Sequence, residues 1–346
     1  MKKTNESTIK KTEKSKIKKF MDIKNSEKIS LLRKMIKIRC FEEKITEYKL
    51  KKKIYGPVHT CIGQEAVDVG VCSALSVNDY IVGNHRSHGY MIAKGVKIDL
   101  LMAEIFGKST GTNGGKGGSM HVSDKTVGSL VATGIVGSGL PIACGAAFAS
   151  LYNSDGKITC VFFGDGASNE GTFHECLNLA SVWKLPIIFL LENNGVAVTT
   201  LKEQVSASND LFHIAQSYSI SSKQIDGQNV EEVYYAVKSA IATIKEGKGA
   251  VLIEAKTFRF HEHQEGQAYA LMSDTGYRDQ NEVDNWIANK DPIKLFSNKL
   301  VAEHVIATGE IEHIFAEENQ KIKNAIAYAE DSPIPCDKDA YLNVFI

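Results

Sequence analysis

Three short apolar runs, Ile158 to Phe163, Ile187 to Leu191 and Val251 to Ala255, punctuate the second half of the chain, and a helical pattern from about Asn169 to Trp183 separates the first two. Runs this short and continuous suit strands buried on both faces, and strands that alternate with helices point to a parallel sheet covered by helices. A further strand, Tyr80-Ile81-Val82, follows two helical patterns. One runs from Ser30 through Leu31, Leu32, Met35, Ile36, Ile38 and Phe41; the other follows Gly63-Gln64-Glu65 through Ala66, Val67, Val69 and Val71. Another helix is expected near 230–245, and charged helices close the chain. The fold class is therefore α/β, a parallel sheet flanked by helices, with an N-terminal helical extension.

No internal repeat and no interior linker divides the sequence, so residues 26–346 read as one domain. Residues 1–25 are rich in Lys, Ser and Thr, with few apolar residues before Ile17 and Phe20, and cannot bury enough surface to offset ordering entropy. They read as a mobile tail. Lys throughout, with Glu6 and Glu13, departs from the Arg-rich, acid-poor character of a transit peptide.

Lys+Arg and Asp+Glu both number 41, so charge favours neither nucleic acid nor an anionic membrane as partner. The ligand is expected to be a small molecule or another protein. Seven cysteines, odd in number and without a Cys-x-x-Cys pair, argue against a disulfide framework and a zinc site. With no apolar run of roughly 18 residues and no secretory signal pattern, the expected location is cytoplasmic.

The most informative segment is Gly164-Asp165-Gly166 at the end of one buried strand, with Asn193-Asn194 ending the next. In open parallel sheets ligands gather at the carboxyl ends of strands. Mg²⁺ takes hard oxygen ligands, and Asp165 offers a carboxylate, Asn194 an amide oxygen and Val196 a backbone carbonyl. The flanking glycines allow a diphosphate to approach the backbone, and the helix after Ala167 supplies amide donors. Gly-Asp-Gly alone is also an ordinary turn; its spacing to the Asn pair, with strand, helix and strand between, makes it specific.

Gly164-Asp165-Gly166 through Asn193-Asn194 resembles the thiamine diphosphate fingerprint. The surrounding text, GDGASNEGTFHECLNLASVWKLPIIFLLENN, is similar to the alpha subunits of the pyruvate, acetoin and branched-chain 2-oxoacid dehydrogenases, over about residues 30 to 296. The resemblance implies a thiamine diphosphate-binding fold and Mg²⁺ held by Asp165, Asn194 and Val196. It implies cofactor contacts from Gly164, Gly166 and Ala167, and from Arg86 and His85 in Asn84-His85-Arg86-Ser87-His88-Gly89. Taken alone, an Arg beyond a strand is more often a surface charge. Backbone groups of Gly134 and Val136, in Gly134-Ile135-Val136-Gly137, would hold the aminopyrimidine; the small-residue helix that follows is equally explained by close helix packing.

Thiamine chemistry moves protons around a carbonyl adduct, work that histidine suits near neutrality. His263, in Phe260-His261-Glu262-His263-Gln264-Glu265-Gly266, matches the family's active-site loop histidine, with contacts to substrate or phosphate and a role in acylating the lipoyl group. His59, in Gly56-Pro57-Val58-His59, matches a second one. A His-x-His pair by itself is also consistent with metal binding or simple solvation. The glycine-rich run Gly111 to Gly118 lacks the order of a P-loop, and its GKGGSMH text is similar to the pyruvate and acetoin branch.

There are departures. Val196 stands where the family usually has Tyr, Glu262 where Gly is common and Gln267 where Asp is frequent; the stretch 267–276 is longer than usual. Gln264 takes the place of a regulatory phosphoserine in animal pyruvate enzymes, so that switch is expected to be missing. In the family the glutamate that activates the cofactor lies on a second domain, for which 346 residues leave no room. The resemblance therefore implies a beta subunit (E1 beta), an α2β2 heterotetramer with the cofactor at the interface, and a lipoyl-bearing acyltransferase (E2) as acceptor. Two alternatives stay open: half of a split transketolase-like enzyme, and a non-catalytic regulatory subunit.

Overall fold

The computed structural model describes residues 23–266 and 277–342. The expected tail lies outside them up to residue 22, as does the stretch 267–276 with Gln267. Ile23 is already buried, its amide donating to the Tyr235 hydroxyl at 3.2 Å.

The chain opens with α1 (Asn25–Leu50), whose entry is closed by Glu27 accepting the Lys24 amide at 3.0 Å. There follow α2 (Glu65–Ala74), β1 (Tyr80–Gly83), α3 (His88–Lys94), α4 (Ile98–Ile105) and β2 (Ser129–Ala132). Next come α5 (Gly139–Asn153), β3 (Thr159–Gly164), a 3-10 turn over Asp165–Asn169, α6 (Gly171–Trp183) and β4 (Ile187–Asn193). A small hairpin of β5 (Val196–Ala197) and β6 (Thr200–Leu201) leads into α7 (Lys202–Val205) and α8 (Phe212–Gln216). The remainder is β7 (Ser221–Asp226), α9 (Val230–Lys245), β8 (Val251–Lys256), α10 (Gln280–Asn289), α11 (Pro292–Ala302) and α12 (Thr308–Asp331).

Six strands form one sheet in the order β2-β1-β3-β4-β8-β7, every neighbouring pair parallel. The period of two along β3 distributes its side chains to two cores. Cys160 and Phe162 face the layer with α1, α2, α4, α9 and α12; Val161 and Phe163 face the layer with α5, α6 and α8. The N-terminal helices thus belong to the larger core: Leu32, Met35, Ile36, Ile38 and Phe41 of α1 are fully buried in it.

Two strands escape a hydrophobic reading for one reason, their place at the sheet's edges. β2 is four residues long, and β7 (Ser-Ser-Lys-Gln-Ile-Asp) buries only Ile225. Short or polar edges with a Lys are a common way to keep an open sheet from pairing with another.

From β1 the chain travels outward to β2, then returns past β1 to β3 and continues toward β4. The connections after β1 and β3 leave in opposite directions, which opens a crevice at their carboxyl ends.

Candidate active site

That crevice is a cleft of about 780 Å³, counted to its open mouth. The turn after β1 supplies Asn84, His85 and Arg86. The loop after β2 supplies Thr133, Ile135, Val136 and Gly137; the turn after β3 supplies Gly164, Asp165, Gly166 and Ala167. Glu192, Asn194 and Val196 come from the end of β4 and its hairpin, Arg259 and His263 from the loop after β8. Gln64, the residue that opens α2, completes the floor. Gly134 sits one residue behind the wall, against His121 and Met120 of the GKGGSMH run. His59 lies behind the cleft, in ring contact with His85 and His263.

The two asparagines at the end of β4 diverge. Asn193 turns away, its Nδ2 donating to Glu254 Oε1 at 2.6 Å, whereas Asn194 faces the cleft. Asn194 Oδ1 accepts the Val196 amide at 3.2 Å and its Nδ2 donates to Gln64 Oε1 at 3.3 Å. Asp165 is buried, and burial lifts its carboxyl to about 6, against the pull of its own and Asn194's backbone amides. α6 begins only at Gly171; the residues directly after Asp165 form the 3-10 turn, so the helix lies one turn farther from Asp165 than the sequence pattern implied. A Cβ on Gly164 would meet nothing closer than the Glu192 carbonyl at 4.0 Å, whereas one on Gly166 would stand 2.7 Å from the Ala197 side chain. Gly164 thus leaves the cleft open beside Asp165. Gly166 is required by the hairpin packed against it.

Arg86 is buried and ties loops together: its guanidinium donates to the carbonyls of Thr60 and, at 3.2 Å, His263, while its amide donates to Asn84 Oδ1 at 2.7 Å. His59, His85 and His263 form a cluster with ring centroids 4.6 to 5.3 Å apart. Burial, then the neighbouring cationic groups, lowers all three, His263 to about 3, so they are neutral at physiological pH. His59 Nδ1 is buried with no hydrogen-bond partner among the described residues.

Among the polar members of the site that were missed in the sequence are Gln64, Glu192 and Arg259. Arg259 is almost wholly buried, with Nη1 3.2 Å from His263 Nδ1 and Nη2 donating to the Val198 carbonyl and Tyr277 hydroxyl. Burial, with Arg86 beside it, lowers Arg259 to about 10. Its only sequence signal is an Arg between Phe258 and Phe260, three residues beyond a strand. Burial raises Glu192 to about 7, against the pull of Asn84 and Arg86. Glu262, at a position where glycine is common in the family, is bonded to the Tyr277 hydroxyl and lies 4.0 Å from Arg278, so it ties the histidine loop to the residues just before α10.

A family model described as dehydrogenase E1 component matches residues 33–337. The chain belongs to that family. As a dehydrogenase E1 component it is of the oxidoreductase class. It is 41% identical over 316 residues to the alpha subunit of acetoin:2,6-dichlorophenolindophenol oxidoreductase from Bacillus subtilis, covering 91% of this chain and 92% of that one. The corresponding Cupriavidus necator subunit is 40% identical over 318 residues, with coverage of 92% and 94%. The pyruvate dehydrogenase E1 component subunit alpha of Zymomonas mobilis is 36% identical over 322 residues, with coverage of 92% and 89%.

Proposed function

We propose that this dehydrogenase E1 chain is the alpha half of an acetoin or pyruvate dehydrogenase, holding thiamine diphosphate with Mg²⁺ in the cleft and working with a beta subunit. The observation that carries the reading is the donor set at the switch point. A carboxylate (Asp165) and an amide oxygen (Asn194) stand at adjacent strand ends, with two buried guanidinium groups, Arg86 and Arg259, lining the same cleft. Hard oxygen ligands fit Mg²⁺, and Arg86 and Arg259 fit phosphate oxygens. The open space at Gly164 also fits a polar ligand there.

When bound, thiamine diphosphate supplies a carbanion nucleophile for the substrate carbonyl. Asp165, Asn194 and the Val196 carbonyl would hold the metal; Arg86, His85 and the turn Gly164–Ala167 would face the diphosphate. Gly134 and Val136 are the residues assigned to the aminopyrimidine. His59 and His263, neutral in this surrounding, are suited to donate or accept a proton at their ring nitrogens, and Arg259 orients His263 through Nδ1.

The cleft mouth is apolar: Ile135 is 71% exposed and Val136 51%. The surface continues over α5 and α6 with Ile142, Phe148, Leu151, Tyr152, Val182 and Trp183. An apolar surface of this extent suits a subunit contact, here a beta subunit in a heterotetramer that closes the cleft. A lipoyl-bearing acyltransferase would then take the acyl group. Among the described residues no helix is long and apolar enough to cross a membrane, and six of the cysteines are free and buried, which suits a reducing cytoplasmic setting.

Acetoin is the first substrate to test, since the acetoin relatives stand at 41% and 40% identity and the pyruvate relative at 36%. The family match favours dehydrogenase chemistry over the transketolase-like alternative. The experiment is calorimetric titration of thiamine diphosphate, with and without Mg²⁺, into the alpha–beta pair, followed by turnover of acetoin and pyruvate with a dye acceptor. Mg²⁺-dependent binding with turnover is expected. A pair that binds no cofactor overturns the reading.

A further inference from the structure

Six polar groups joined by five hydrogen bonds cross the cleft in one continuous line, and the direction of each bond is fixed by its neighbours. At one end the Arg86 amide donates to Asn84 Oδ1 at 2.7 Å, which obliges Asn84 to present Nδ2 on its other side; that Nδ2 donates to Glu192 Oε2 at 3.1 Å. From the other end the Val196 amide donates to Asn194 Oδ1 at 3.2 Å, Asn194 Nδ2 donates to Gln64 Oε1 at 3.3 Å, and Gln64 Nε2 meets Glu192 Oε1 at 3.5 Å. Both sets of donors converge on Glu192. Among the side chains, only a carboxylate presents two acceptors and no donor, the pattern seen here.

We infer that Glu192 is a positioning residue whose acceptor-only carboxylate closes this line on the Gln64 side and so, together with the Val196 amide at the other end, holds Asn194 with its amide oxygen, not its nitrogen, toward the metal position. The inference rests on the Mg²⁺–thiamine diphosphate reading of the cleft and adds to it the group that orients one of the ligands.

The reason is a matter of counting donors. A glutamine at 192 would set its own NH₂ against either Asn84 or Gln64. Asn84 is locked by the short bond from the Arg86 amide, whereas the Gln64 contacts are the longest in the line, so Gln64 inverts. It then turns its NH₂ to Asn194, whose own NH₂ is left opposed by Gln64 or, if Asn194 inverts, set against the Val196 amide; in either arrangement the amide oxygen that the cation requires is no longer held by a consistent line. Metal ligands are commonly oriented by such outer partners.

The test is Mg²⁺ affinity of the alpha–beta pair at pH 8 in the presence of thiamine diphosphate, measured by calorimetry for unaltered protein, Glu192→Gln, and the exchange Gln64→Glu with Glu192→Gln. In the exchanged variant Glu at 64 accepts from both Asn194 and Gln at 192, so the line regains a consistent polarity with unchanged total charge. Glu192→Gln is expected to weaken Mg²⁺ binding by about 10–100-fold, the usual scale for such partners. The exchange is expected to return affinity to near that of the unaltered pair, even if Glu192→Gln alone folds poorly. Equal affinity of Glu192→Gln and unaltered protein overturns the inference, and so does an exchanged variant as weak as the single one. Absence of Mg²⁺-dependent binding in the unaltered pair overturns instead the cofactor reading beneath it.

Discussion

The Glu104 carboxylate accepts the backbone amide of Gly117 at 2.7 Å, and its two oxygens also take the amides of Asn113 (2.7 Å), Gly115 (2.9 Å) and Gly118 (3.2 Å). Glu104 is fully buried near the end of α4. The glycine-rich loop that lacks P-loop order therefore folds around an anion that belongs to the chain itself. Its far end carries Met120 and His121 to the back of Gly134, so the loop supports the cleft wall.

Glu104→Gln would place an NH₂ group against one pair of these half-buried amides and strand their donors, at up to about 1–3 kcal/mol for each unsatisfied group. Urea unfolding is expected to show a lower midpoint with an unchanged slope. An unaltered midpoint would show that the loop does not depend on the carboxylate.

Gly166→Ala would push a methyl into Ala197 and shift the hairpin that carries Val196. Such overpacking costs about 1–3 kcal/mol. Thiamine diphosphate binding by the pair is expected to weaken by roughly 5–150-fold, and Ala197→Gly added to Gly166→Ala should restore most of it by removing the opposing methyl. Failure of that rescue would count against steric contact as the cause.

Arg259→Lys keeps a charge but loses the planar fork that reaches His263, Val198 and Tyr277 together. With His263 no longer oriented, kcat/KM of the assembled pair is expected to fall by about 100-fold. Steady-state kinetics with acetoin and pyruvate would check it, and full activity would remove Arg259 from the mechanism.

The histidine cluster makes stability depend on pH. His263 is lowered to about 3, and His59 and His85 are lowered as well, so the unfolded chain, with ordinary values near 6.5, binds more protons than the folded one across this window. The histidines' contribution to stability therefore rises with pH between about 3 and 6.5 and levels off above it, each adding at most about 1.4 kcal/mol per pH unit to the slope, and the raised carboxyls of Asp165 and Glu192 oppose it between about 4 and 7. Denaturation midpoints at pH 5 and 7 should lie closer together in His263→Gln than in the unaltered chain; an identical spread would mean that His263 does not contribute.

Phe148 and Trp183, with ring centroids 5.0 Å apart and both more than 40% exposed, form the aromatic centre of the α5–α6 surface. Phe148→Glu is expected to leave the melting temperature of the isolated alpha chain nearly unchanged while lowering the fraction that sediments with the beta subunit. Undiminished assembly would place the contact elsewhere.

The sequence by itself determined the central strands, because β3, β4 and β8 are buried on both faces and must be apolar throughout. It also placed Asp165 and Asn194 at the ends of adjacent strands, because a parallel sheet fixes where strand ends lie. In the larger core α1, α2 and α9 were legible from their period, whereas α4 was not read. Tertiary structure alone decided the edges: β7 contributes backbone bonds with little burial, and polar residues can do that. It also decided the roles of long polar side chains. Arg86 spends its guanidinium on two loop carbonyls, Arg259 is buried against His263, and Gln64 joins Glu192 from 128 positions away. Hydrophobic period records which face is buried. It carries no record of which buried polar groups meet, because hydrogen bonds depend on atoms brought within about 3 Å by folding.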